Sequence, residues 1–193
     1  MDLIPAKKEL NRAKRCVERM KTAKTYDEYD EAWSDFLSCI ENVFNRIKIA
    51  AEKHIKYPSF SSKPNHLRAT DSLLIYLKQA RNSAHHGIAD TSKYVSGGIG
   101  INPMEKDGMV RIKSLTIDEN GNIAFFSETP VAINIIPGRV EAIPCRNRGI
   151  TYNPPNSHLG KELITKSPVD IAELGIKFYE SYLEDAEDVF LKK

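Results

Sequence analysis

The feature that most constrains the fold is a run of large apolar residues at helical spacing between positions 33 and 47. They recur every three or four positions, as on the buried face of an α-helix. Thr25 and Glu28 precede the run and form the capping-box pattern that opens a helix. The sequence therefore predicts a long amphipathic helix from Thr25 that reaches Ile55 and ends before Pro58. Its expected inner residues are Trp33, Phe36, Leu37, Ile40, Val43, Phe44 and Ile47.

Three further segments carry the same helical period, over residues 5–23, 67–86 and 168–191. Ser167 and Pro168 open the last of them as an N-cap and a first helical residue. Residues 57–66 contain two prolines and three serines, and they are expected to form a loop. Four amphipathic helices joined in this way predict a helical bundle.

The pattern changes between Ile88 and Pro168, where short β-prone stretches alternate with turn residues. Gly97, Gly98 and Gly100 predict a flexible turn. The strand candidates are residues 110–117, 122–127, 131–136 and 139–143. They predict a small antiparallel sheet, or an arm lying against the helices.

The predicted fold class is therefore mainly α, a four-helix bundle with a small antiparallel β subdomain inserted between the third and last helices. The expected organisation is a helical part over residues 1–90, a β-rich insert over 91–167 and a closing helix over 168–193.

Charge is unevenly distributed, although the formal net charge is only +2. Residues 7–24 are strongly basic and the last helix is acidic. Two interpretations are open: a basic face for nucleic acid, or two helix faces that complement each other when packed. No apolar run has the roughly 20 residues of a membrane helix, and the first residues lack a signal-peptide pattern. Three widely spaced cysteines fit neither a disulfide framework nor a zinc site, so we expect a cytoplasmic protein with reduced thiols.

The third predicted helix ends in a cluster of polar residues, Arg81-Asn82-Ser-Ala-His85-His86, before Gly87. Arg81 lies at the edge of the apolar stripe formed by Leu73, Leu74, Leu77, Ala80 and Ala84. A guanidinium beside the core is costly unless an anion pairs with it. The candidates are a phosphate or an acidic side chain such as Asp35 or Glu41.

An arginine followed by a polar residue, with a histidine five positions after the arginine at the end of a bundle helix, resembles the signature of the HEPN superfamily. The stretches 31–37 and 77–87 are also similar to a group of small bacterial proteins with this bundle. The resemblance covers about residues 5–90 and 168–191, and the middle of the chain has no counterpart in it.

The resemblance implies a homodimer with two motifs facing each other across a cleft, and RNA as a substrate or ligand. Many HEPN proteins are metal-independent ribonucleases, some of them toxins with an antitoxin or other protein partner. Others are non-catalytic RNA-binding or scaffold modules. The ribonuclease interpretation assigns acid–base chemistry to His86 and a phosphate contact to Arg81, because imidazole exchanges protons near neutral pH and guanidinium is a fork for phosphate oxygens. Asn82 would orient the histidine or the substrate, and His85 would be a phosphate contact or a structural cap.

No metal or cofactor is expected. His54, His66, His85 and His86 have no spacing that is diagnostic of a metal site. Ser157-His158 lacks the surroundings of a nucleophile elbow. Arg139, Arg146 and Arg148 with Tyr152 form a small basic patch, which is either a nucleic-acid contact or an ordinary exposed loop.

Overall fold

The computed structural model describes residues 1–85, 90–106, 108–119 and 121–191, with only the backbone at His85. These residues contain five helices and ten short strands, and about half of them are helical. The architecture is therefore mixed, with a larger β content than the predicted mainly α fold. The chain divides into two compact units, one of Met1–Tyr94 with Val140–Lys193 and one of Val95–Arg139.

The first unit is built on helices that bury one continuous apolar core. Helix α2 contacts α1, α4 and α5, and α5 contacts each of the others. The predicted inner residues of α2 are buried, except Phe44, which is half-buried. The helices are α1 (Ile4–Thr22), α2 (Tyr26–Ala51), α3 (Tyr57–Thr70), α4 (Ser72–His85) and α5 (Pro168–Phe190).

The predicted helix starts of α2 and α5 are confirmed by their hydrogen bonds. The Thr25 hydroxyl accepts from the Glu28 backbone N–H at 3.2 Å. The Glu28 carboxylate accepts in return from the backbone N–H of Lys24, one residue before the cap, at 2.8 Å. Ser167 caps α5 by accepting from the Asp170 backbone N–H at 3.4 Å.

The loop predicted over residues 57–66 is wrong, because these residues belong to α3. Pro58 lies in the first helical turn, where its missing N–H is not needed. The chain breaks instead at Asp71, between α3 and α4. The Asp71 carboxylate accepts from the Leu74 backbone N–H at 3.0 Å and so caps the start of α4. The single helix predicted over residues 67–86 is therefore two helices.

Helix α2 also ends earlier than predicted, at Ala51. The side chain of Ile55, which the period placed on the buried face, is 92 % exposed. The apolar period therefore does not predict the environment of this residue.

Among the described residues, the strands pair in two-stranded ribbons, and four of these ribbons are antiparallel. The three glycines at 97–100 were predicted to form a flexible turn, but Gly98 and Gly100 lie within a strand. The strands are β1 (Ser92–Val95), β2 (Gly98–Pro103), β3 (Ile112–Ile117), β4 (Ile123–Ser127), β5 (Val131–Ile136), β6 (Arg139–Ala142), β7 (Cys145–Asn147), β8 (Ile150–Tyr152), β9 (Ser157–His158) and β10 (Lys161–Glu162).

The second unit contains the pairs β2–β5 and β3–β4. One face of the β2–β5 ribbon is apolar throughout, because the opposed pairs on it join isoleucine to isoleucine and proline to valine. Several of these side chains are exposed, with Ile133 at 51 % and Ile135 at 80 %. We call this the apolar ribbon face; it consists of Ile99, Ile101, Pro103, Val131, Ile133 and Ile135.

Buried polar contacts join the helices to the chain segments around β1 and β6. The Trp33 indole N–H donates to the Thr91 hydroxyl at 2.9 Å. The Tyr76 hydroxyl lies 3.1 Å from the Thr91 carbonyl and 2.8 Å from the Ile143 carbonyl. Within the described part of the chain, no helix is both long and apolar enough to cross a membrane.

Candidate functional site at the end of helix α4

Helix α4 carries the predicted motif from Arg81 to His85 at its carboxyl-terminal end. Four of its five predicted core-facing residues are buried, with Leu73, Leu74 and Ala80 fully buried and Leu77 nearly so, while Ala84 is half-buried. This face fixes the rotation of the helix, because it packs against α2 and α5. Arg81 consequently lies at the border of the core.

The Arg81 side chain is half-buried, and its hydrogen-bond donors are only partly paired among the described residues. One terminal nitrogen, Nη1, donates to the Oδ1 of Asn82 at 3.3 Å, which is a long hydrogen bond. The Nε atom is buried and has no hydrogen-bond partner among the described residues. An unpaired donor on a cation beside the core favours the binding of an anion.

The two acidic residues considered as partners for Arg81 are engaged elsewhere. Asp35 accepts from Arg19 at 2.6 Å. Glu41 receives two hydrogen bonds from Arg68, at 2.9 and 2.8 Å. The structure therefore does not pair Arg81 with either carboxylate, and it shows no salt bridge to Arg81 within residues 1–85, 90–106, 108–119 and 121–191.

The structure brings Arg81 and Asn82 into contact but does not test the histidines. His85 is the last residue of α4, and only its backbone is described. His86 lies outside the described residues. The assignments of His86 to acid–base chemistry and of His85 to a phosphate contact or a cap remain predictions.

A basic hairpin lies beside the second half of α4. Asn147, in the β7–β8 hairpin, donates from its Nδ2 to the Gln79 Oε1 at 2.7 Å. The flanking Arg146 and Arg148 are exposed. Positive φ angles at Arg148 (50°) and Gly149 (82°) form the tight turn between the strands. Two residues of the basic patch identified in the sequence are thus attached to the motif helix.

The basic residues of α1, by contrast, face acidic residues of α5. Lys7 pairs with Glu187, Lys14 with Glu180 at 2.5 Å, and Lys21 with Glu173 at 2.8 Å. The structure supports the interpretation that these two helix faces complement each other, and these lysines are not an open nucleic-acid surface.

Sequence reasoning missed a buried ionic cluster around Arg68. Its guanidinium is held by Glu41, donates to the Tyr179 hydroxyl and lies 3.9 Å from the centre of the Phe44 ring. Burial raises the pKa of Tyr179 to about 12, although the Arg68 charge opposes that rise. Arg68 lay at the start of the third predicted helix, and nothing in its local pattern marked it as buried.

Sequence reasoning also missed a buried Asp71–His158 pair. The His158 Nδ1 lies 2.9 Å from the Asp71 Oδ1, and the Leu159 backbone N–H donates to the Asp71 Oδ2 at 2.7 Å. Burial raises the pKa of Asp71, but hydrogen bonds from Leu159, His158 and Leu74 outweigh burial and bring the pKa below its ordinary value.

Comparison with protein-family models, curated proteins and solved structures finds no match for this chain. Among the described residues, no group of three His, Cys, Asp or Glu side chains is arranged to hold a metal ion.

Proposed function

We propose that the protein is a HEPN-like, metal-independent endoribonuclease of toxin or defence type, acting as a homodimer with a composite active site. Arg81 contacts the scissile phosphate, His86 exchanges the proton, and Asn82 and His85 assist. The observation that carries this proposal is the Arg81 guanidinium, which borders the core with a buried Nε that has no partner among the described residues and without Asp35 or Glu41 as a partner. A phosphate oxygen would complete its hydrogen bonding.

The chemistry suits these residue types. A base removes the proton of the ribose 2′-hydroxyl, and the 2′-oxygen attacks the phosphorus. The bond from phosphorus to the 5′-oxygen breaks, and an acid protonates that oxygen. The products are a 2′,3′-cyclic phosphate and a 5′-hydroxyl. Arginine stabilises the negative charge that accumulates on the phosphate oxygens during this exchange.

The dimer follows from the need for both an acid and a base. One imidazole does not readily serve both roles in the same step, whereas a second protomer brings a second His86. The exposed Arg146 and Arg148 beside α4 would extend the cationic surface along the RNA backbone.

The test is cleavage of varied RNAs by the purified full chain in EDTA, with analysis of the new ends. We expect 2′,3′-cyclic phosphate ends from the wild type, and a loss of about 100-fold or more in rate for His86→Ala. Arg81→Gln should lose activity to a similar extent. Arg46→Gln is the matched control, because it removes the same charge from an exposed position of α2. Equal, negligible cleavage by wild type and His86→Ala would contradict the proposal.

A second candidate is a non-catalytic HEPN-like module that binds RNA or a protein. The apolar ribbon face favours its protein-binding form, because contiguous exposed apolar side chains often mark a protein interface. Its natural occupants would be a second copy, an antitoxin or another protein partner. Light scattering measures the molecular mass in solution and so distinguishes a monomer from a dimer. A strict monomer argues against a composite active site, whereas a dimer without RNA cleavage favours the non-catalytic module.

A further inference from the structure

A groove lies between α3, α5 and the β9–β10 hairpin, away from the motif end of α4. Its volume is about 690 Å³, within the range of about 300–1,000 Å³ common for small-molecule sites. Both ends of the groove belong to the helical unit. We call it the α3–α5 groove; its apolar lining includes Phe60, Leu67, Leu163, Leu174, Phe178 and Val189.

His158 is the polar group built into this lining. The residue is only 8 % exposed, and Asp71 holds its Nδ1. The residue lines the groove, and its Nε2 makes no hydrogen bond to a described residue. The Asp71 carboxylate fixes the orientation of the ring.

The charges around the groove are separated along α5. Lys161 and Lys177 lie at the end that holds His158, whose ring packs edge-on against Phe178 with centroids 6.3 Å apart. Asp185 and Asp188 lie eight and eleven residues after Lys177, which is about 12 and 16 Å further along the helix. The groove therefore has two lysines and His158 at one end and two aspartates further along α5, and Lys63 of α3 also lines it.

We propose that the α3–α5 groove binds a small amphipathic monocarboxylate, with its carboxylate at His158, Lys161 and Lys177 and its apolar body along α5 toward Val189. The two ammonium groups supply charge-assisted hydrogen bonds to the carboxylate oxygens, and the His158 ring lines the groove beside them. The half-buried apolar side chains cover the ligand body, whose removal from water drives binding.

This site is distinct from the one proposed for RNA. Asp71 caps the start of α4, whereas Arg81 lies ten residues later, about 15 Å along the helix axis. Loss of carboxylate binding would therefore leave the ribonuclease proposal untouched, and the reverse also holds.

The test is calorimetric titration of the full chain with decanoate, and with decylamine as a ligand of equal length and opposite charge. We expect decanoate to bind with a dissociation constant well below about 1 mM and decylamine to bind at least tenfold more weakly. Lys161→Gln and Lys177→Gln should each weaken decanoate binding several-fold. Lys8→Gln, at an exposed position of α1, is the matched control and should leave decanoate binding unchanged.

Two further variants locate the ligand. His158→Asn keeps a donor near the Nδ1 position for Asp71 but removes the rest of the ring from the groove lining, and it should weaken binding several-fold. Leu174→Trp fills the groove and should abolish binding. If either variant fails to fold, the variants of the exposed Lys161 and Lys177 still test whether the groove binds the carboxylate. Absent decanoate binding, tighter decylamine binding, or binding unaffected by the lysine changes would overturn the proposal. A fall in molecular mass with Leu174→Trp would also overturn it, since the occupant would then be a protein chain.

Discussion

The Arg68 guanidinium is buried among α2, α3 and α5, where Glu41 holds it with two hydrogen bonds. Burial lowers the pKa of Arg68, but Tyr179 and Glu41 outweigh that effect and raise it above the ordinary value. Because an unpaired buried charge is costly, we expect Arg68→Met to destabilise the fold by about 3–5 kcal/mol in urea unfolding. The cost arises at Glu41, which is left without its partner.

The matched control removes both charges. Arg68→Met combined with Glu41→Leu should recover most of the lost stability, since two apolar side chains of similar volume replace the ion pair. A double variant as unstable as Arg68→Met alone would contradict the view that the unpaired charge, and not lost packing, is the cause.

Asp71 gives the fold a pH dependence with a defined sign. Burial raises its pKa, but the hydrogen bonds from Leu159, His158 and Leu74 bring the pKa below the ordinary value. The carboxylate therefore stabilises the fold above its unfolded pKa, about 3.9, and this stability is lost as pH falls through the folded pKa. We expect Asp71→Asn to be less stable than the wild type at pH 7, with the difference shrinking below about pH 4. A difference that stays constant in urea unfolding from pH 7 to pH 3 would show that the charge is not responsible.

Single residues differ in how far the sequence predicts them. The position of Arg81 at the border of the core followed from the period of its own helix, because that information is local. The contact between Asp71 and His158 joins residues 87 positions apart. No local pattern predicts such a contact, so the α3–α5 groove was not foreseen.

Three ion pairs join helices α1 and α5, and the paired residues are spaced seven apart on each helix; we call them the ion-pair ladder. Lysines 7, 14 and 21 pair with glutamates 187, 180 and 173, so the sequence numbers rise on one helix as they fall on the other. The two helices are therefore antiparallel in register. Exposed pairs contribute little stability individually, and this ladder specifies alignment more than it adds free energy.

A charge exchange tests that view. Lys14→Glu places two carboxylates opposite each other, and Glu180→Lys in the same chain restores the attraction. We expect a coupling free energy below about 1 kcal/mol at low salt in a double-mutant cycle. It should fall further at about 1 M salt, where the Debye length is about 3 Å. A coupling that does not change with salt would contradict a solvent-exposed ion pair.

Helices were predictable where an amphipathic period coincided with a cap, as in α2 and α5. Helix α3 was not, because its buried residues are Ser61, Pro64 and Arg68, which do not form an apolar stripe. The pair of polar residues at Asp71 and Ser72 was a readable N-cap signal that would have divided the third predicted helix.

The molecule consists of two compact units, one mainly helical and one of β structure. The insert predicted over residues 91–167 contains the entire second unit, Val95–Arg139, while its later residues, including the β7–β8 and β9–β10 hairpins, belong to the helical unit. Those hairpins carry Asn147 and His158, which contact α4 and Asp71. The pattern of short strands predicted β structure but not which strands pack on the helices, since that depends on contacts distant in sequence.

The salt dependence of RNA binding tests most directly whether Arg81 contacts phosphate, as we propose. A 2′-O-methyl RNA binds without cleavage, because its blocked 2′-oxygen has no proton to lose. When the logarithm of the binding constant is plotted against the logarithm of the salt concentration, the line has a negative slope. We expect this slope to be shallower for Arg81→Gln than for the wild type, by about 0.7 for each Arg81 in the complex. Arg46→Gln should match the wild type. Identical slopes for Arg81→Gln and the wild type would contradict the claim.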